Sequence, residues 1–129
     1  VGSFLRKDYI RVSPEHTISQ MIYILSNSGN SEGYVVDPKG ILLGKVLLPD
    51  LNIKEEKDTT INLDEIKHFL SLSKDTNALE AIESIKDFIG ESVPIVDDKS
   101  REILGVITES DLFGALLSAE SERNREELG

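Results

Sequence analysis

Apolar residues at Ile18, Met21, Ile22 and Leu25 recur at the spacing of one helical face, directly after a short extended stretch, Ile10-Arg-Val-Ser13. Two apolar runs follow, Gly33-Tyr-Val-Val-Asp37 and Ile41-Leu-Leu-Gly-Lys-Val-Leu-Leu48, separated by the turn Asp37-Pro-Lys-Gly40. Strand-like runs around such a turn predict a β-hairpin. Pro49 then stands where the first turn of a helix favours proline.

The same order returns about sixty residues later. Phe69–Ser73 is an extended lead-in, and Leu79, Ile82, Ile85, Lys86 and Ile89 follow at helical spacing. Val93–Asp97, a polar turn at Asp98–Arg101 and Ile103–Ile107 predict a second hairpin, and Thr108–Leu117 a closing helix. Val36-Asp37 pairs with Val96-Asp97, Leu43-Gly44 with Leu104-Gly105, and Asp50-Leu51 with Asp111-Leu112, at offsets of 60, 61 and 61. An internal repeat decides the architecture. The expected fold is α/β, built from two β-α-β-β-α units over residues 5–51 and 69–118. A linker over 52–68, with one helical turn, and a charged tail over 119–129 complete it.

Composition narrows the function. At 129 residues and 39% hydrophobic content, the chain has enough surface to bury for a core without covalent staples. It has no cysteine, which excludes disulfides, zinc-thiolate sites and a cysteine nucleophile. Its net charge of −10 opposes polyanionic partners, so neither nucleic acid nor an anionic lipid surface is expected. No apolar run approaches the 18 or so residues that span a bilayer, so direct membrane insertion of this chain is not expected. It begins at Val1 without an initiator Met or signal segment, which reads as a piece of a longer protein.

Candidate chemistry concentrates at Gly105-Val-Ile-Thr-Glu-Ser-Asp111. A strand ending at Ile107 and a helix starting near Thr108 leave backbone N–H groups that suit an anion. Thr108 can donate to a phosphate, and Asp111 can accept from both hydroxyls of a ribose. Thr-x-x-Asp is equally a capping-box pattern, in which Thr108 caps the helix and Asp111 offsets its dipole. The repeated Asp50, with Leu47 in the Thr position, lacks the cap hydroxyl yet keeps the acid. His16 and Lys45 are the nearest candidates for phosphate neutralisation; each has a plain surface reading. No Gly-x-Ser-x-Gly, P-loop or His-Glu-x-x-His occurs, and the adjacent Asp97 and Asp98 fit a turn, so no enzyme activity is expected.

The duplicated unit, with Val93-Pro-Ile-Val-Asp97 and Leu104-Gly-Val-Ile-Thr-Glu-Ser-Asp-Leu112, resembles a tandem CBS domain pair (a Bateman module). The first repeat departs from the family pattern, with Tyr34 at a usual Pro and Leu47 at a usual Thr or Ser. The resemblance implies two repeats related by a pseudo-twofold axis, and a regulatory ligand, AMP, ADP or ATP, in a cleft between them. It carries Asp111, Thr108 and Ile107 over to the site, with Val12, Thr17, Asn30 and Ser31 as their counterparts on the other repeat. The second cleft would use Asp50 with Ser73, Ala78 and Glu91, and Leu47 and Glu91 make it the degenerate one. The resemblance further implies a homodimer through exposed helical faces, including Met21-Ile22 and Phe113–Leu117, and an attached transmembrane transport domain, with this chain on the cytoplasmic side of the membrane. The acidic C-terminus is similar to the cytosolic tail of CLC-type chloride channels. A ligand-free dimerisation domain, or the CBS pair of a magnesium/cobalt efflux protein, are the alternatives; S-adenosylmethionine or a metal are others for the ligand.

Overall fold

A computed structural model describes residues 5–85, 92–111, 114 and 117. The elements run β1 (Arg11–Val12), α1 (Ile18–Ser28), β2 (Glu32–Val36), β3 (Leu42–Leu47), α2 (Leu48–Asn52), α3 (Leu63–Ile66), β4 (Leu72–Ser73), α4 (Ala78–Ile85), β5 (Val93–Val96) and β6 (Ile103–Ile107). They form two three-stranded sheets, ordered β1-β2-β3 and β4-β5-β6. In each, the lead-in strand runs parallel to the next, with Val12 opposite Val35 and Leu72 opposite Ile95. Parallel neighbours need a crossover, and α1 and α4 provide it. The mixed α/β repeat read from the sequence is what forms.

The chain divides into two compact units. The first holds Asp8–Phe69 with Lys99–Ile103, and the second holds the described residues of Val1–Lys7, Leu70–Asp98 and Leu104–Gly129. The first packs Val12, Ile18, Met21, Leu25, Val35, Val46, Leu51 and Ile61 into one core. The second packs Leu72, Ala81, Val93, Ile95 and Ile107, with Leu5, Leu70 and Ile82 against them. The central strands β2 and β5 are almost wholly buried, as strands covered on both faces must be.

Met21 is fully buried and belongs to no exposed face, while Ile22 is partly buried against the same core. The helical period that groups them with Ile18 and Leu25 also turns them inward together. The outward residue of α1 is Tyr23, 69% exposed. In α4, Ala81 is buried, Ile82 packs against the core and Leu79 is exposed; the inward face runs one residue earlier than the apolar spacing suggests.

Each repeat starts its helix with a capping box. Thr17 Oγ1 accepts from the Gln20 N–H at 3.2 Å and Gln20 Oε1 from the Thr17 N–H at 2.8 Å. Asn77 and Glu80 repeat the exchange at 2.8 and 3.4 Å. The segment 52–68 is tied in tightly: the carbonyls of Thr59 and Lys57 accept from the N–H groups of Ile18 and Ser19, and Ile61 is buried. Those bonds satisfy donors that a helix start leaves open.

The repeated Leu-Gly has a steric cause. A Cβ on Gly44 would lie 2.8 Å from the Ile66 carbonyl oxygen, and one on Gly105 would lie 2.9 Å from that of Arg6. Backbone passes too close at both places for any side chain. Leu5–Lys7, the first residues of the span read as the first repeat, thus lie in the second unit on the strand of Gly105. There Arg6 and Val106 exchange backbone hydrogen bonds of 2.8 and 3.0 Å.

Candidate functional site

At the end of β6 the backbone turns into helix at Glu109, and Thr108 and Asp111 close around that turn. Asp111 N–H donates to Thr108 Oγ1 at 3.2 Å, and Thr108 N–H donates to Asp111 Oδ2 at 3.1 Å. This is a reciprocal cap with Asp at the third helical position, the structural alternative weighed for the motif. It also sets a hydroxyl and a carboxylate side by side at a helix start.

Arg6 adds a contact that the sequence does not announce. Its Nε donates to Asp111 Oδ2 at 2.7 Å and its Nη2 to Oδ1 at 2.8 Å. The paired geometry is the strong form of an arginine–carboxylate bond. Lys7 Nζ donates to the Leu104 carbonyl beside it. The guanidinium, helped by the Thr108 bonds and opposed by desolvation, holds the Asp111 carboxyl well below the usual carboxylate range. The Asp111 side chain is 17% exposed and that of Arg6 is 52% exposed.

Ile107 is fully buried in the second core, so its side chain is closed to a ligand. The remaining expected residues lie in the first unit. Val12 is buried opposite Val35, and the Thr17 hydroxyl is engaged as the cap of α1. Asn30 donates through Nδ2 to the Ser28 carbonyl at 3.1 Å, and the Ser31 carbonyl accepts from the Leu48 N–H. Asn30 and Ser31 sit together just beyond the left-handed C-cap Gly29.

Neither candidate for phosphate neutralisation stands ready. Lys45 is not solvent-facing: it pairs with Glu32 at 3.1 Å, both side chains about 10% exposed, and it lies over the Tyr34 ring. His16 accepts through Nδ1 from the Ser13 N–H at 3.0 Å, and it lines a groove of about 340 Å³ with Ser19, Gln20, Tyr23 and Ile24.

At the second position Asp50 is exposed in the first turn of α2, whose start at Leu47 has no side-chain cap. Among the described residues Asp50 makes no salt bridge. Ser73 caps its own turn by accepting from the Asp75 N–H at 3.0 Å. Glu91, Lys86, Ile89, Phe113 and the tail 119–129 lie outside the described residues, as does the side chain of Ala78.

Arg6 is the residue that reading by motif missed, because its partner is 105 positions away. The one signal was the repeated glycine, which marks close backbone approach without naming what approaches.

Residues 63–118 match the family model of the CBS domain. The sequence is 31% identical over 107 residues, 83% of this chain, to inosine-5'-monophosphate dehydrogenase of Methanocaldococcus jannaschii, and spans 21% of that relative. A CBS domain pair/ACT domain protein from Thermotoga maritima superimposes with a TM-score of 0.76 at 19% identity, over 92% of this chain and 97% of that one. CBSX2 in complex with AMP gives 0.69 at 19% identity, over 93% and 97%. The cytosolic domain of the Mg2+ channel MgtE in complex with ATP gives 0.71 at 22% identity, over 85% and 46%. The chain has the fold of a CBS domain pair. Among the described residues, no helix is long and apolar enough to cross a membrane.

Proposed function

We propose that the chain is a regulatory module that binds an adenosine nucleotide, AMP, ADP or ATP, through Asp111 and Thr108 and passes its occupancy to an attached domain. The observation that carries this reading is the hydroxyl and carboxylate held together at the first turn after β6. Thr108 retains its hydroxyl proton for a phosphate, and a carboxylate is the natural acceptor for two ribose hydroxyls. AMP-bound CBSX2 and ATP-bound MgtE, which share the fold, support the class of ligand. Val12, Thr17, Asn30 and Ser31 are the further ligand-contact residues of this proposal, offered through backbone and small polar groups, in repeats spanning 5–51 and 69–118. The Asp50 position is the silent one.

The attached domain is read as a transmembrane ion transporter, with this chain on the cytoplasmic side of the membrane. The Mg2+ channel shares the fold, which supports magnesium. Chloride rests on the acidic C-terminal residues alone. Homodimerisation would use exposed positions such as Tyr23 and Leu117.

A second reading has its own observation. Thr108 and Asp111 cap a helix, and Arg6 satisfies the acid, which a ligand-free structural pair would also need. Thermal melting with and without AMP, ADP or ATP separates the two. A rise in Tm with at least one nucleotide supports the sensor, and no rise at about a hundred times a micromolar-range Kd supports the structural reading, since ligand linkage alone would add about 2.7 kcal/mol there.

A further inference from the structure

We propose that Arg6 is a built-in competitor for Asp111: it occupies the carboxylate in the empty protein, and a ribose must displace it to dock. The inference rests on the reading of Asp111 as the ribose-binding acid, and it makes the segment Leu5–Lys7 part of the ligand switch.

The Asp111 carboxylate has too few hydrogen-bonding sites to hold both Arg6 and a ribose. A carboxylate offers about four lone-pair directions. Arg6 takes one on each oxygen, at 2.7 and 2.8 Å, and the Thr108 N–H takes a further one on Oδ2 at 3.1 Å. About one remains, and the two hydroxyls of a ribose need two. The Thr108 bond belongs to the helix cap and is held by the backbone, so the group that yields is the guanidinium. Arg6 can yield cheaply, because its side chain is half exposed. Its backbone stays in place through two hydrogen bonds to Val106.

The repeat provides an internal comparison. Lys67 stands 61 residues after Arg6, and Asp50 stands 61 before Asp111. There the cation pairs with Asp64 at 3.3 Å, and Asp50 is exposed with no salt bridge among the described residues. The occupied carboxylate is the one that also carries the hydroxyl cap. Displacement has a second consequence: it frees a cation beside a site meant for a phosphorylated ligand. His16 and Lys45 do not supply one.

Adenosine is the informative probe, because it has the ribose and no phosphate for a freed arginine to meet. Calorimetric titrations of adenosine and ATP into wild type, Arg6→Ala, Arg6→Lys and Asp111→Ala test the proposal. Arg6→Ala is expected to bind adenosine about three- to tenfold more tightly, the range of a half-exposed paired ion bond. Arg6→Lys, which keeps the charge and loses the fork, should fall between. Melting curves verify that each variant is folded. In wild type, the NMR signal of the Arg6 Nε–H should shift on adding adenosine or ATP.

The proposal is overturned if Asp111-dependent binding occurs while Arg6→Ala gains nothing for adenosine, or if the Arg6 Nε–H signal stays fixed at saturation. If no variant binds adenosine or ATP, the reading of Asp111 as a ribose acceptor fails, and the competitor falls with it. The two failures are thus told apart by whether wild type binds a ligand that Asp111→Ala does not.

Discussion

Replacing Gly105 with alanine should destabilise the protein, although the same change at an ordinary strand position is neutral or stabilising. The new Cβ would sit 2.9 Å from the Arg6 carbonyl oxygen and 3.0 Å from Leu5 Cβ. That carbonyl cannot simply retreat, because it accepts the Val106 N–H at 3.0 Å. The Leu5–Arg6 segment must shift by a few tenths of an ångström. Overpacking of this kind costs about 1–3 kcal/mol, and weakening the attached hydrogen bond adds up to about 1 kcal/mol. A stiffer unfolded chain returns about 0.4–1 kcal/mol. The net loss is about 2 kcal/mol, or a Tm lower by about 8 °C for a domain of this size. Gly114 is the control, since a Cβ there meets nothing within 4 Å on helical backbone, and alanine should raise stability by about 0.5–1 kcal/mol. Thermal melts followed by circular dichroism would decide the matter. A Gly105→Ala variant melting at or above wild type would refute the claim that the repeated glycine exists for the crossing backbone.

Three further outcomes follow from single residues. Asp111 is held ionised below its unfolded value near 3.9, so the stability it contributes is complete above about pH 4 and disappears as pH falls through the native value. Urea denaturation should therefore show wild type about 1 kcal/mol more stable than Asp111→Asn near pH 7, screened to that size by the exposed Arg6, with the gap closing in acid. Arg101 sits at φ 66, 61 positions after the left-handed Gly40, so Arg101→Gly should raise stability by up to about 1 kcal/mol in the same assay. Thr17→Ala removes the capping box of α1 and should cost about 1 kcal/mol, visible as a Tm lower by about 4 °C.

Much of the fold was legible because it is written twice. The offsets of 60 and 61 located both hairpins, and the four apolar positions of α1 gave its inward face. The placement of Leu5–Lys7 in the second unit was not legible, because Leu5 and Arg6 carry no periodicity and the partner strand is a hundred residues off. Ile61, within a stretch of polar and acidic residues, looks like linker until the core closes over it. At the site, Thr108 and Asp111 were found as a pair from spacing alone. Their local geometry is common to a cap and to a ribose clamp, so spacing could not choose between them. Lys45 illustrates the opposite failure: strand alternation predicts an outward side chain, but Glu32 and Tyr34 on the neighbouring strand fold it down.

The central claim is that Asp111 is a ligand-binding acid as well as a helix cap, and calorimetry with ATP, ADP and AMP tests it most directly. Asp111→Ala and Arg6→Ala both lose the ion pair, but only the first loses the carboxylate. The account predicts binding of at least one nucleotide by wild type, retained in Arg6→Ala and abolished in Asp111→Ala. Equal binding by wild type and Asp111→Ala, both folded, would contradict it.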